Sequence, residues 1–545
     1  MPQLLRSISI MTTRRVIKPR SRNGCITCKI RHVKCDEAKP YCAQCQSSGR
    51  TCDGYDNVSQ TQLRQRIAER HQPLNRNNLN ADQRLVLRQE TRTERRYVDF
   101  FNTRTSHAFS GFYDSKLWSY LIPQFGEHEP SVRHAMTAIG AIHERLELSA
   151  GEETGDAVAR REGSSAPTER FVLEEYNKSI QALVKSLSAQ TRGGDIDLTL
   201  TACCLFICLE MLRGNRKEAL DHIESGLRII YNHEHSTPPG SAWTSELYEQ
   251  IRDLFLRLNL QASFMSRPLM PLNIDSMDTK LGKPFVDWSE ARSHLDQLMT
   301  KALLFIRTVG ITREERPQAL EAELEAEREQ ILMGMLPWRL SHDKLLHKLG
   351  AKIQQSDLCA SLLLRIYYHI SLMWVGVVLD RDENGYDRYI TDFESAVCHA
   401  EEIIRLTSPS PNPTTATTTE DARTKQASCV FSLEGEIIGP MYFVALRCRH
   451  PSLRRRAIDT LCHYSKREGF WDARVYANVA KFVVKVEESQ CSEPPTSEKD
   501  ISTLARVYEE LQPKDFKTNP VQVLLYMKPE GVDGPWDISN CMIDW

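Results

Sequence analysis

Six of the sixteen cysteines fall between residues 25 and 52, spaced Cys25-x2-Cys28-x6-Cys35-x6-Cys42-x2-Cys45-x6-Cys52. The same unit, C-x2-C-x6-C, is written twice. Each half offers three thiolates, whereas a structural zinc takes four in a tetrahedron. Two separate four-thiolate sites would need eight ligands, and the deficit closes if two thiolates are shared between two ions. Three disulfides also fit the count, but no secretion signal precedes the cysteines, and in a reducing compartment thiols hold metal or pack in cores. One four-cysteine zinc with two spare thiols leaves the repeat unexplained. A catalytic zinc fits poorly, because a filled thiolate shell leaves no position for water or substrate.

The halves share spacing but not charge. Between Cys28 and Cys35 stand Lys29, Arg31, His32 and Lys34, whereas between Cys45 and Cys52 there is only Arg50. The formal net charge of −2 hides a similar asymmetry on a larger scale. Residues 1–96 carry 20 Lys and Arg against 8 Asp and Glu, and the remainder carries 50 against 64. A basic head on an acidic body points to a polyanionic partner for the head, with the first half facing it.

The stretch "NGCITCKIRHVKCDEAKPYCAQCQSSGRTCDGY", residues 23–55, resembles the fungal zinc binuclear cluster transcription factors. The resemblance implies a small zinc-stabilised domain of two short helices and loops that binds double-stranded DNA. It implies two zinc ions per chain, bridged by Cys25 and Cys42. One ion would take Cys25, Cys28, Cys35 and Cys42, the other Cys25, Cys42, Cys45 and Cys52. Pro40 matches the family's linker proline. In the family the helix after the second cysteine enters the major groove and reads a CGG triplet, and its base-contacting positions match Arg31 and His32. The second is usually Lys or Arg; a neutral imidazole still donates one hydrogen bond to guanine but lacks a fixed charge. A CGG-like core with altered preference at one position is expected. Lys29, Lys34 and Lys39 suit phosphate contacts. The upstream "RRVIKPRSR", with Arg20 and Arg22, suits an N-terminal arm on the DNA backbone or a nuclear import signal.

After Cys52 the composition turns polar and rich in Arg, Gln and Asn up to residue 96, as in a linker. Leu63, Ile67 and Leu74 hint at a helical stripe that could pair two copies of the chain, but Pro73 interrupts it. From Tyr97 onward apolar residues recur at spacings of three and four, strand-like alternation is scarce, and no fixed-period repeat is present. The expectation is a basic arm over 1–22, a zinc cluster domain over 23–55, a linker over 56–96 and an all-α regulatory domain over 97–545. The body's layout is similar to the fungal-specific transcription factor domain that follows such clusters. "IDLTLTACCLFICLEMLRGNRKEALDHIESGLRII" reads as two antiparallel helices joined at Gly214-Asn215, with Cys203, Cys204 and Cys208 as small core residues. Further helices are expected to begin near residues 244, 288, 356, 390, 452 and 472.

"LLLRIYYHISLMWVGVVL" contains Arg365 and His369 and reads as a buried helix rather than a membrane span. "TREERPQALEAELEAEREQ" reads as a solvated helix with intrahelical ion pairs. The tail "EGVDGPWDISNCMIDW" is expected to dock on the body rather than act as a free acidic segment. No G-x-S-x-G, H-E-x-x-H or phosphate-binding glycine loop occurs, so no enzyme is indicated. The expected function is a nuclear, sequence-specific regulator of RNA polymerase II genes in a metabolic or secondary-metabolite pathway. Its expected partners are DNA, the transcription machinery, a second copy of the chain and a small-molecule effector. The alternative is a zinc-folded interaction protein acting through protein partners.

Overall fold

The computed structural model describes residues 25, 28, 33–39, 41–48 and 52 of the N-terminal region. Of the rest it describes 91–113, 116–150, 157–189, 196–236, 245–272, 284–311, 318–408, 431–464, 466–511 and 519–544. The chain divides into two compact units, Met1–Glu90 and Thr91–Trp545. In the first, the described regular element is α1, Ala43–Ser47. Of the residues expected to form the linker, 56–90, with the helical stripe, lie outside the described residues, whereas 91–96 are described and start the first helix of the second unit, a correction to the expected boundary.

The second unit starts abruptly. Thr91 accepts the Glu94 backbone N–H through its hydroxyl at 3.2 Å, and the Glu94 carboxylate accepts the Thr91 N–H at 2.7 Å. This reciprocal capping box satisfies two donors that a helix start leaves unpaired. It launches α2, Arg92–Phe100. Short helical turns lead to α3, Pro130–Ala150, and α4, Ala157–Ala189. Gly140 of α3 lies against α2, where an added Cβ would stand 2.2 Å from the Tyr97 carbonyl oxygen. Only glycine allows so close a helix crossing.

The predicted hairpin is α5, Ile196–Arg213, and α6, Arg216–Ser236. Gly214 takes the left-handed φ of 74° that ends α5, and the Asn215 N–H reaches back to the Glu210 carbonyl at 2.8 Å. Cys203, Cys204 and Cys208 are buried core residues, as expected. Next come α7, Glu246–Phe264, α8, Trp288–Ile311, α9, Gln318–Leu349, α10, Gln355–Val377, and α11, Ile390–Thr407. After them stand α12, Ile438–Arg447, α13, Pro451–His463, and α14, Ala473–Glu488. The starts of α7, α8, α10, α11, α13 and α14 fall within two residues of the sequence expectations, whereas no start was expected for α12.

Helix α10 is the one described helix long and apolar enough to cross a membrane, and it is the buried helix that the sequence suggests. Its Leu363, Ile366 and Met373 enter one core cluster, and its Ala360, Leu364 and Val375 enter another. A helix apolar on all sides is one enclosed by its neighbours.

The all-α expectation needs correction. Two three-stranded sheets flank the later helices. In the first, β1, Phe431–Ser432, pairs in parallel with β2, Arg467–Glu468, which pairs antiparallel with β3, Trp471–Asp472. In the second, β4, Val507–Leu511, β5, Val521–Met527, and β6, Asp537–Ile543, run antiparallel in that order. Val521, Val523 and Leu525 point into the core that α14 lines, the period-two pattern of a half-buried strand. The C-terminal tail docks as expected, with β6 paired along β5 from Val521↔Ile543 to Met527↔Asp537.

A buried ion cluster ties this sheet to the helices. The Glu487 carboxylate of α14 accepts from Arg449 at 3.0 Å, Arg454 at 2.7 Å and the Val507 N–H of β4 at 2.8 Å. All three charged side chains are fully buried.

Candidate metal centre and nucleic-acid interface

All six N-terminal cysteines are buried, none more than 7 % exposed, with Val33 packed against them. Cys42 opens α1 as its N-cap, and its sulfur accepts the Cys45 N–H at 3.3 Å. The first half repeats this bond, Cys28 N–H to Cys25 Sγ at 3.4 Å. The third cysteine of each half receives the N–H of the first: Cys25 N–H to Cys35 Sγ at 3.4 Å, and Cys42 N–H to Cys52 Sγ at 3.5 Å. The sequence repeat is thus a structural repeat. N–H groups aimed at sulfur favour the thiolate, the form that binds metal.

The sulfurs converge. Cys25 Sγ lies 3.5 Å from Cys42 Sγ and 3.7 Å from Cys45 Sγ, and Cys28 Sγ lies 3.7 Å from Cys42 Sγ and 3.8 Å from Cys45 Sγ. A tetrahedral site with zinc–sulfur bonds of about 2.3 Å has sulfur–sulfur edges of about 3.8 Å, whereas a disulfide needs about 2.05 Å. The Cys25–Cys42, Cys25–Cys45 and Cys28–Cys42 separations fit such edges, Cys28–Cys45 spans the two groups below, and all four are too long for a disulfide. Two four-sulfur groups form, each with its members within 4.8 Å of one another: Cys25, Cys28, Cys35, Cys42, and Cys25, Cys42, Cys45, Cys52. Cys25 and Cys42 belong to both. Burial raises the thiols of Cys25 and Cys28 above their ordinary value and pushes Cys42 up to about 12, a preference that a divalent cation reverses by stabilising thiolates.

Another convergence of metal-ligating types lies in the second unit, where Glu94, His134 and Glu175 meet. There the Lys178 ammonium already contacts Glu175 at 2.6 Å and Glu94 at 3.3 Å, so a lysine serves as the cation.

Around the sulfur cluster, Lys34 and Lys39 are exposed. Lys29, Arg31, His32, Arg20, Arg22 and Pro40 lie outside the described residues. Asp36 is a structural residue that the sequence reading passed over. Its carboxylate accepts the Ala43 N–H at 3.0 Å and the Gln44 N–H at 3.1 Å, so the first half closes the start of α1 in the second. The Gln44 and Ala43 N–H groups hold this carboxyl below its usual range. A trace of it was readable, since both halves end in Cys-Asp, Cys35-Asp36 and Cys52-Asp53.

Family comparison agrees with this geometry. Residues 23–62 match the fungal Zn(2)-Cys(6) binuclear cluster domain, and residues 96–307 match the fungal specific transcription factor domain. The chain thus carries both domains found in fungal zinc binuclear cluster transcription regulators. It is therefore a DNA-binding transcription regulator with a zinc-binding head.

Among similar proteins, the aspercryptin biosynthesis cluster-specific transcription regulator atnN of Emericella nidulans is 24% identical, over 87% of this chain and 88% of its own. The transcription regulator lscL of Purpureocillium lilacinum is 28% identical over 39% of this chain and 49% of its own. White-opaque regulator 2 of Candida albicans is 45% identical over 58 residues, 11% of this chain and 13% of its own, so there the likeness covers a short segment. No solved structure matches the chain. The match to the transcription factor domain ends at residue 307, within α8.

Proposed function

We propose that the head holds two zinc ions, one in Cys25, Cys28, Cys35 and Cys42, the other in Cys25, Cys42, Cys45 and Cys52, with Cys25 and Cys42 bridging. The observation that carries this reading is the pair of overlapping four-sulfur groups with two members in common. Bound zinc supplies structure rather than reaction chemistry, because thiolates fill its shell. It would fix the first half, on a second short helix, so that Arg31 and His32 meet guanine edges of a CGG-like triplet in the major groove. Lys29, Lys34, Arg20 and Arg22 would take phosphates, which supply affinity and register without sequence information. The domain limits that suit this reading are an arm over 1–22, the cluster over 23–55, a linker from 56 and the regulatory body from the capped helix start at Thr91.

The regulator acts in the nucleus on RNA polymerase II genes, through the transcription machinery. A secondary-metabolite gene cluster is the proposed target class, since the relative similar along most of both chains carries such a role in its name. Selection of bound sequences from a random pool with the full-length protein tests the reading. It returns CGG-like triplets if the first half reads bases as proposed; a pool without any G/C-rich triplet overturns it.

A further inference from the structure

The segment "TREERPQALEAELEAEREQ", read from sequence as a solvated helix, supplies the first half of α9, and the second half has the opposite character. Glu321, Glu323, Glu325, Glu327 and Glu329 crowd the first turns. One cation among them, Arg328, is shared by Glu325 at 2.8 Å and Glu329 at 3.2 Å. The last turns carry Lys344, His347 and Lys348. Asp343 there takes Arg339 at 3.7 Å and Arg365 at 2.8 Å, whereas Lys344 and Lys348 are exposed and make no ion pair among the described residues.

Between the charged halves the outer face is apolar. Met333 is 70% exposed, Leu336 53% and Leu340 52%. Leu324, Met335, Trp338 and Leu345 of the same helix are buried in the core shared with α8 and α10, so the exposed stripe lies on the opposite side. With the exposed Ala322, Ala326 and Glu329 it gives positions 322, 326, 329, 333, 336 and 340, alternating four and three residues apart as in the seam of a helix pair. Pro337, beside Leu336, adds apolar surface and has no N–H to leave unpaired.

Charge says which partner such a stripe fits. A helix that is acidic at one end, basic at the other and apolar between is complementary to its own copy run in the opposite direction. About a two-fold axis level with Leu336 and Pro337, Met333 of one copy is level with Leu340 of the other, and Glu329 with Lys344. The glutamates of the first half disfavour an anionic membrane surface, which selects a basic polar face.

We propose that α9 is a self-association surface, through which two copies of the chain pair antiparallel. Met333, Leu336 and Leu340 form the seam, and Glu329 of each copy meets Lys344 of the other. The pairing places two zinc-binding heads in one assembly. It does not rest on the base contacts proposed for the head, and its test is read without DNA.

Sedimentation velocity of the zinc-loaded full-length protein over a concentration series provides that test, and a reversible monomer–dimer equilibrium is expected. Leu336→Glu, at a position exposed in the single chain, is expected to weaken the dimer about 100-fold, with an unchanged circular dichroism spectrum. Glu329→Lys alone, or Lys344→Glu alone, sets like charges together twice per dimer and is expected to weaken it about 10-fold. Mixing these two variants in equal amounts is expected to restore the affinity, because the lysines of one chain then meet the glutamates of the other. A protein that stays monomeric, or a dimer indifferent to Leu336→Glu, overturns the proposal. So do charge reversals that cost nothing, or whose loss is not regained on mixing.

Discussion

Sharing of two sulfurs makes the six cysteines unequal, and their inequality is measurable. Cys25 Sγ and Cys42 Sγ belong to both four-sulfur groups, whereas Cys28, Cys35, Cys45 and Cys52 each belong to one. A structural zinc site contributes about 10–16 kcal/mol over its four ligands, so one thiolate is worth roughly 3 kcal/mol, or roughly 100-fold in affinity. Cys28→Ala takes one ligand from one ion. Cys25→Ala takes one from each, so both ions weaken roughly 100-fold together. Native mass spectrometry of the full-length protein during titration with a zinc chelator follows the two ions separately. Cys28→Ala and Cys52→Ala are expected to lose one ion first and to retain the other over a range of chelator concentration. Cys25→Ala and Cys42→Ala are expected to lose both ions in a single step. A Cys25→Ala protein that retains one ion as firmly as Cys28→Ala does would refute the shared-sulfur reasoning.

Four more outcomes follow from the same structure and sequence. If Lys29, Lys34, Arg20 and Arg22 each take a phosphate, the logarithm of affinity falls with the logarithm of salt at a slope of about −3.6, or roughly 150-fold between 50 and 200 mM, measured by mobility shift. His32→Lys is expected to sharpen preference at one position of the triplet, read by repeating the sequence selection on the variant. Glu487→Gln leaves Arg449 and Arg454 short of their shared fully buried anion, so a loss of about 3–5 kcal/mol is expected in chemical unfolding of the body. Burial, then the neighbouring Glu436, raises the Glu468 carboxyl from 4.5 to about 7, although the backbone N–H groups of Glu436, Ile437 and Ile438 oppose the rise. Because the folded value is the higher one, this group's contribution to stability is present below the unfolded range and is lost as pH rises through about 7. Carbon-13 NMR titration of the Glu468 carboxyl near its ordinary value would contradict that.

The metal cluster and the helical body were legible in the sequence for different reasons. Thiolate spacing is a local constraint, and six cysteines set against four-thiolate shells already point to two ions with shared ligands. Helix starts were readable because apolar periodicity persists over twenty residues or so, as in α8 from Trp288 and α11 from Ile390. The second sheet was not, because its strands are short and separated by connections longer than the strands themselves. Val521, Val523 and Leu525 do alternate with less buried neighbours, but over seven residues such a pattern competes with a turn of buried helix. In the arginine-rich stretch "RCRHPSLRRR", Arg449 and Arg454 are fully buried. Their partner Glu487 stands 38 and 33 residues further along, a pairing that only the tertiary fold creates.

The central claim is a six-thiolate head that holds two ions through common sulfurs. Zinc-edge X-ray absorption of the full-length protein, combined with metal analysis, tests it most directly. The account predicts two zinc ions per chain, each with four sulfur neighbours at about 2.3 Å, and a zinc–zinc scattering path between them. One zinc per chain, or nitrogen and oxygen in the first coordination sphere, would contradict it.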